Sequence, residues 1–291
     1  MTGTRVLTAL VLIPVVVALV LFSPTWAVAL ATALITILAL REYFALGDAI
    51  GHRAYRLWTI FSALLFIYGQ WIGMNIQNLV TSATPNVSVI GLQRDTLFLS
   101  LVSFLLIYIF GITALTLWTR RPLVESLPSA GISFSALLLV AFPLSFAVAL
   151  HGLPRGRRLL LFALAITWAA DTTAYFVGRA IGKHPLAPHI SPKKTWEGSV
   201  GGMLGSLLVA YAFHGWLSIP IPHLLAMATL GNIAGQMGDL LESAYKRSAG
   251  VKDSGAMLPG HGGVLDRIDA LILCIPVIWY YLVLVNPPTL S

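Results

Sequence analysis

The sequence predicts an all-α polytopic membrane protein: about nine transmembrane helices in one bundle, with the N-terminus in the cytoplasm. Three observations predict it. Of 291 residues, 57% are hydrophobic and only 10% charged, with a mean hydropathy of +0.85, whereas a soluble domain carries roughly 25% charged residues. Apolar runs recur along the whole length, near the roughly 17–25 residues that a helix needs to cross a bilayer. The charged residues gather in short segments between those runs, and no connection is long enough for a separate soluble domain.

The first run, 5–22, follows Arg5 and precedes small residues at Ala27 and Ala29, which is the outline of a signal peptide. Its apolar stretch is long for that role and more spans follow, so it reads as a retained first helix. Spans at 26–46, 56–74, 96–118 and 132–150 complete a first half, 1–150, which reads as scaffold or dimer surface. Spans at 159–179, 199–218, 223–243 and 268–285 make the second half, 151–291, expected to carry the site. The pair meeting at Pro220 and Pro222 requires a very tight turn. The lone cysteine, Cys274, lies in the last apolar run and reads as a packed thiol.

Orientation follows from the basic residues. With a cytoplasmic N-terminus, all 18 lysines and arginines except Arg94, Arg155, Arg157 and Arg158 fall on the cytoplasmic side. The polar loops 180–198 and 244–267 are then cytoplasmic as well. A net charge of +7, unevenly placed, suits anionic lipid head groups or phosphates better than nucleic acid. The acidic residues are biased towards the second half, where Asp171, Glu197, Asp239, Glu242, Asp253, Asp266 and Asp269 lie.

The densest polar block is SAYKRSAGVKDSGAMLPGHGGVLDRID, from Ser243 to Asp269. Charge is costly beside apolar spans, so such a block marks chemistry more often than solubility. Its residue types suit phosphates (cations), a divalent metal (carboxylates) and close approach of backbone N–H groups to an anion (glycines). Asp171 lies inside the sixth span, Asp239 near the end of the eighth and Asp266 just before the ninth, so all three are expected to converge on a cavity open to the cytoplasm. A cation site and structural ion pairs both fit them.

Asp239, Ser243, Lys246 and Arg247 share one helical face if the eighth helix continues through them; snorkelling to the interface is the plainer account of the last two. Asp266 and Asp269 are three residues apart at a helix start, facing the same way, as metal ligands or as residues that complement the helix dipole. The Pro259-Gly260-His261-Gly262-Gly263 loop frees the backbone to approach a phosphate. Ser191-Pro192-Lys193-Lys194-Thr195-Trp196-Glu197-Gly198 reads as a phosphate grip or as an interfacial anchor. No Walker loop, Rossmann fingerprint or G-x-S-x-G elbow occurs.

Ser243-x-x-Lys246-Arg247-x4-Lys252-Asp253, followed by Pro259-Gly260-His261-Gly262-Gly263-x-x-Asp266-Arg267-x-Asp269, resembles the signature of the phosphatidate cytidylyltransferases, or CDP-diacylglycerol synthases. The 191–198 block and the Asp171, Tyr175, Gly178-Arg179 segment resemble that family too. The resemblance implies transfer of the cytidylyl group of CTP to phosphatidic acid, giving CDP-diacylglycerol and pyrophosphate in phospholipid biosynthesis. It further implies magnesium (a second cation left open), a homodimer, and the cytoplasmic (inner) membrane of a bacterium with the site facing the cytoplasm.

On that basis Asp239 and Asp266 are expected to hold the metal, with Asp171 a third ligand. Lys193, Lys194, Lys246, Arg247 and Lys252 are expected on substrate phosphates, with Ser243, His261 and Arg267 also at the substrate. The 260–263 loop, including Gly262 and Gly263, would cradle phosphate, while Asp253 and Asp269 orient neighbouring cations. Two rivals stand beside this: a CTP-dependent lipid-alcohol kinase, and a transporter with buried carboxylates. The one-sided polar density favours an enzyme.

Overall fold

The computed structural model describes residues 2–83, 89–119, 121–257 and 262–285. The first half opens with four helices: α1 (Thr2–Phe22), α2 (Thr25–Ala49), α3 (Arg56–Ala83) and α4 (Val89–Trp118). The expected span at 132–150 is a composite rod. A 3-10 turn, Leu123–Glu125, leads into α5 (Ser126–Ala136), a single π turn (Leu137–Ala141) and α6 (Phe142–His151). Pro143 stands just past the π turn, where its missing N–H leaves one backbone bond of a regular helix unmade.

The second half contains α7 (Gly156–Ile181), α8 (Trp196–Leu217), α9 (Ile221–Ser248) and α10 (Leu265–Val285). The tight turn expected at Pro220 joins α8 to α9. Between α7 and α8 the chain forms a short antiparallel hairpin, β1 (Pro185–Ala187) and β2 (Ser191–Thr195), with Pro185 opposite Thr195 and Ala187 opposite Ser191. The sequence offered no strand alternation long enough to mark it.

Among the described residues seven segments are long and apolar enough to cross a membrane. The chain is an integral membrane protein. Two of the expected spans lie outside that set. The described apolar stretch of α1, Leu10–Phe22, is short. The other is α9, which is 28 residues long but carries Asn232, Gln236, Asp239, Glu242 and Lys246. Those polar groups build the site, and they dilute the helix that bears them.

Side chains from α6, α7, α9 and α10 fill the centre, where Phe146, Phe162, Ile166 and Trp279 are fully buried. In lipid, helices gain little from hydrophobicity against one another, so close approach depends on small residues. Along α8, Gly198, Gly201, Gly202 and Gly205 face α7, and a Cβ at Gly205 would collide with Thr173 Oγ1. On α9, a Cβ at Gly238 would collide with the Asp269 carbonyl oxygen of α10. Gly238 therefore sets the spacing at which Asp239 and Asp269 sit beside each other.

Replacing Gly205 with Ala is expected to force α7 and α8 apart and destabilise the protein by about 1–3 kcal/mol. Gly215→Ala on the same helix meets nothing within 4 Å and serves as the control. Thermal unfolding in detergent should separate the two variants; equal midpoints would contradict the packing account.

Candidate active site

A cavity of about 690 Å³ opens among α7, β2, α8 and α9. From α7 come Asp171, Tyr175 and Arg179, spaced one helical turn apart and therefore on one face. Strand β2 supplies Lys193 and Lys194, and α9 supplies Asp239. Lys194 forms an ion pair with Asp239, the two side chains being 29% and 28% exposed. Arg179 donates a 3.1 Å hydrogen bond to the Tyr175 hydroxyl.

Local chemistry holds the hairpin over this cavity. Thr195 caps α8, its hydroxyl accepting from the Gly198 N–H at 3.1 Å. Glu197 binds back to His184, with Nδ1 and Oε1 2.6 Å apart, and Trp196 N–H donates to the His184 carbonyl at 2.9 Å. Arg247 reaches from the end of α9 to the Ile190 carbonyl at 3.3 Å and to the Val251 carbonyl at 3.0 Å. Arg247 thus ties the hairpin turn to α9 rather than lining the cavity.

The inner wall is polar but uncharged. Asn232 donates to Ser206 Oγ at 2.9 Å and accepts from Gln236 at 2.6 Å. Gln236 in turn accepts from the Ser199 hydroxyl. Sequence reading passed over these residues, because an isolated amide in a helix carries no charge signal.

Asp171, Asp239 and Asp269 lie near enough to repel one another. Arg267, at the start of α10, offsets part of that charge at Asp171. A second polar cluster adjoins this one. Lys246 pairs with Glu242 one turn earlier on α9, and donates to Asp266 Oδ1 at 2.6 Å. The Lys246 and Asp266 side chains are only 11% and 7% exposed. Asp266 also accepts from the Gly263 N–H at 2.8 Å and the Ser254 N–H at 3.0 Å. Asp266 and Asp269, expected to face one way, thus reach different partners.

The structure accordingly brings Asp171, Asp239, Lys193 and Lys194 to one cavity, with Asp269 and Arg267 close by. It places Asp266 and Lys246 in the adjoining buried cluster. Ser243 is buried within α9, while Lys252 and Asp253 are exposed beyond its end. Gly262 adopts the left-handed φ of 78° that its position in the turn suggested. His261 and Gly260 lie outside the described residues.

Among the described residues, no three histidine, cysteine or carboxylate side chains are grouped to hold an ion alone. Magnesium commonly takes one or two carboxylates and completes its shell with water and substrate phosphates. Asp239 and Asp171, facing one cavity amid cations suited to phosphate, fit such a site.

The cytidylyltransferase family model matches residues 3–285. A phosphatidate cytidylyltransferase of Haemophilus influenzae is 42% identical over 175 residues, 56% of this chain and 59% of that protein. One from Bacillus subtilis is 44% identical over 131 residues, 44% of this chain and 49% of that protein. One from Brucella abortus is 40% identical over 171 residues, 56% of this chain and 60% of that protein. The chain thus spans about half to three-fifths of the length of these curated relatives.

The two lysine pairs should respond differently to truncation. Lys246→Met leaves two buried carboxylates without their cation and is expected to cost about 3–5 kcal/mol. Lys194→Met breaks a pair open to solvent and is expected to cost at most about 1 kcal/mol. Unfolding midpoints of both variants in detergent check this; a Lys194 variant as unstable as the Lys246 variant would contradict it.

Proposed function

The chain belongs to the cytidylyltransferase family, and from that membership we propose that it transfers the cytidylyl group of CTP to phosphatidic acid, releasing pyrophosphate. The cavity carries this assignment: Asp171 and Asp239 face the cations Arg179, Lys193 and Lys194 within one space lined by the polar edge of the bundle. Phosphates need cations and a metal needs carboxylates, and this cavity offers both.

A phosphate oxygen of phosphatidic acid attacks the α-phosphorus of CTP. The new O–P bond forms as the bond to the β-phosphate oxygen breaks, and pyrophosphate leaves with that electron pair. Both reactants are polyanions, so their approach is opposed by repulsion. Lys193, Lys194 and Arg179 offset that repulsion and stabilise the charge growing on pyrophosphate. The attacking phosphate is already anionic at neutral pH, so no side chain has to remove a proton. Asp239 and Asp171 would hold magnesium, which supplies Lewis-acid polarisation of the phosphoryl oxygens. Asp239 would take up the ion by giving up the Lys194 ammonium to substrate phosphate, and Asp266 would join that set by giving up Lys246.

The positive-inside distribution supports a cytoplasmic N-terminus and a site reached from the cytoplasm, in the cytoplasmic membrane of a bacterium. The homodimer belongs to this proposal through the family resemblance alone.

With purified protein, phosphatidic acid and magnesium, α-labelled CTP should put label into a chloroform-soluble product, and EDTA should abolish it. γ-Labelled CTP should not label lipid. Label passing from the γ position instead would indicate a lipid kinase and overturn the proposal. Asp239→Asn should lower turnover on the order of 10²–10³-fold while the protein stays folded. Near-normal turnover by that variant would remove Asp239 from the site.

A further inference from the structure

Glu42 belongs to α2, in the half of the chain that the sequence marks as scaffold, yet it ends in the heart of the signature loop. Its side chain is buried. Oε1 accepts the Val264 N–H at 3.0 Å, and Oε2 accepts the Leu265 N–H at 2.7 Å and the Ser254 hydroxyl at 3.2 Å. Val264 immediately precedes α10 and Leu265 begins it, so a carboxylate from a distant helix satisfies N–H groups that the helix itself leaves without acceptors.

Ser254 joins Glu42 to the candidate site. Its hydroxyl goes to Glu42 while its N–H goes to Asp266, and Asp266 also holds the Gly263 N–H. The loop is therefore gripped between two carboxylates. Two glycines of the signature region make room for the grip: a Cβ at Gly255 or at Gly263 would collide with the Glu42 carboxylate.

We propose that Glu42 is a positioning residue, which fixes the backbone at 254 and 263–265 and thereby holds Asp266, and the cluster it forms with Lys246, in place beside the cavity where turnover occurs. The kinetic part rests on the cytidylyl-transfer reading; the structural part does not. Three donors converge on the two Glu42 oxygens. A glutamine there must turn its NH₂ towards at least one of them, so Glu42→Gln is close to isosteric but wrong in polarity. Gly255→Ala should displace the same carboxylate by steric contact.

The first experiment is hydrogen–deuterium exchange on the wild type, Glu42→Gln and Gly255→Ala, in detergent without substrates. Faster exchange is expected at Val264 and Leu265 in both variants, with amides elsewhere in α2 unchanged. Steady-state kinetics should then show kcat lower by on the order of 10–100-fold, a typical loss for a residue supporting a site, with KM for CTP near wild type. Glu42→Asp, which keeps both acceptors, should recover part of that loss. Because both substitutions disturb one contact, the double variant should be about as slow as the slower single one.

Unchanged exchange at 264–265 would overturn the grip. Wild-type kcat in Glu42→Gln, or multiplicative losses in the double variant, would overturn the positioning role. A wild type that cannot label lipid from CTP would instead sink the proposed function, and the exchange experiment would still decide the grip.

Discussion

A carboxylate inside a bundle of apolar helices has to be neutralised by its immediate neighbours, and this constraint organises the whole site. Asp266 meets Lys246 and Glu42 meets the N–H groups at the start of α10, both in the interior, while Asp239 meets Lys194 where solvent still reaches the pair. Each solution ties together segments far apart in sequence: β2 to α9, α9 to α10, and α2 to α10. The ion pairs thus do topological work as well as chemical work. They fix which ends of which helices meet, and they meet on the edge where the hairpin and the signature loop lie.

Small residues make that convergence possible. Glycines along α8 let it lie against α7, and Gly238 lets α9 approach α10 at the level of Asp239. The cavity lies among these closely packed helices, with its carboxylates on α7 and α9 and its lysines on β2. Charge brought this close would repel were every group acidic. Interleaving lysines and arginines between the carboxylates keeps the cluster stable, and it presents both signs that a nucleotide with its metal would need.

Much of this was legible in the sequence, for physical reasons that differ by element. The spans show themselves through length and apolarity, and the polar blocks through their contrast with everything around them. Asp171 stood out as a charge inside a span, Asp239 as one near a span end and Lys193 and Lys194 as a pair in a polar loop, and all four line one cavity. Glu42 was passed over, although a carboxylate in an apolar run is itself a signal. Its neighbour Arg41 made the pair look like an ordinary cytoplasmic flank. The hairpin at 185–195 was hidden by its brevity. The glycines were legible as backbone room but not as room for what: Gly255 and Gly263 give way to Glu42, a partner more than 200 residues earlier that no local pattern reveals.

Binding of CTP in the cavity among α7, β2, α8 and α9 is what the proposed reaction requires, and site-directed alkylation tests it most directly. Leu186 lines the cavity on β1, and the native Cys274 is buried, so Leu186→Cys introduces a single accessible thiol there. Magnesium with CTP, at concentrations that saturate turnover, should slow modification of that thiol by a water-soluble maleimide. A modification rate indifferent to CTP under those conditions would place the nucleotide elsewhere and contradict the account.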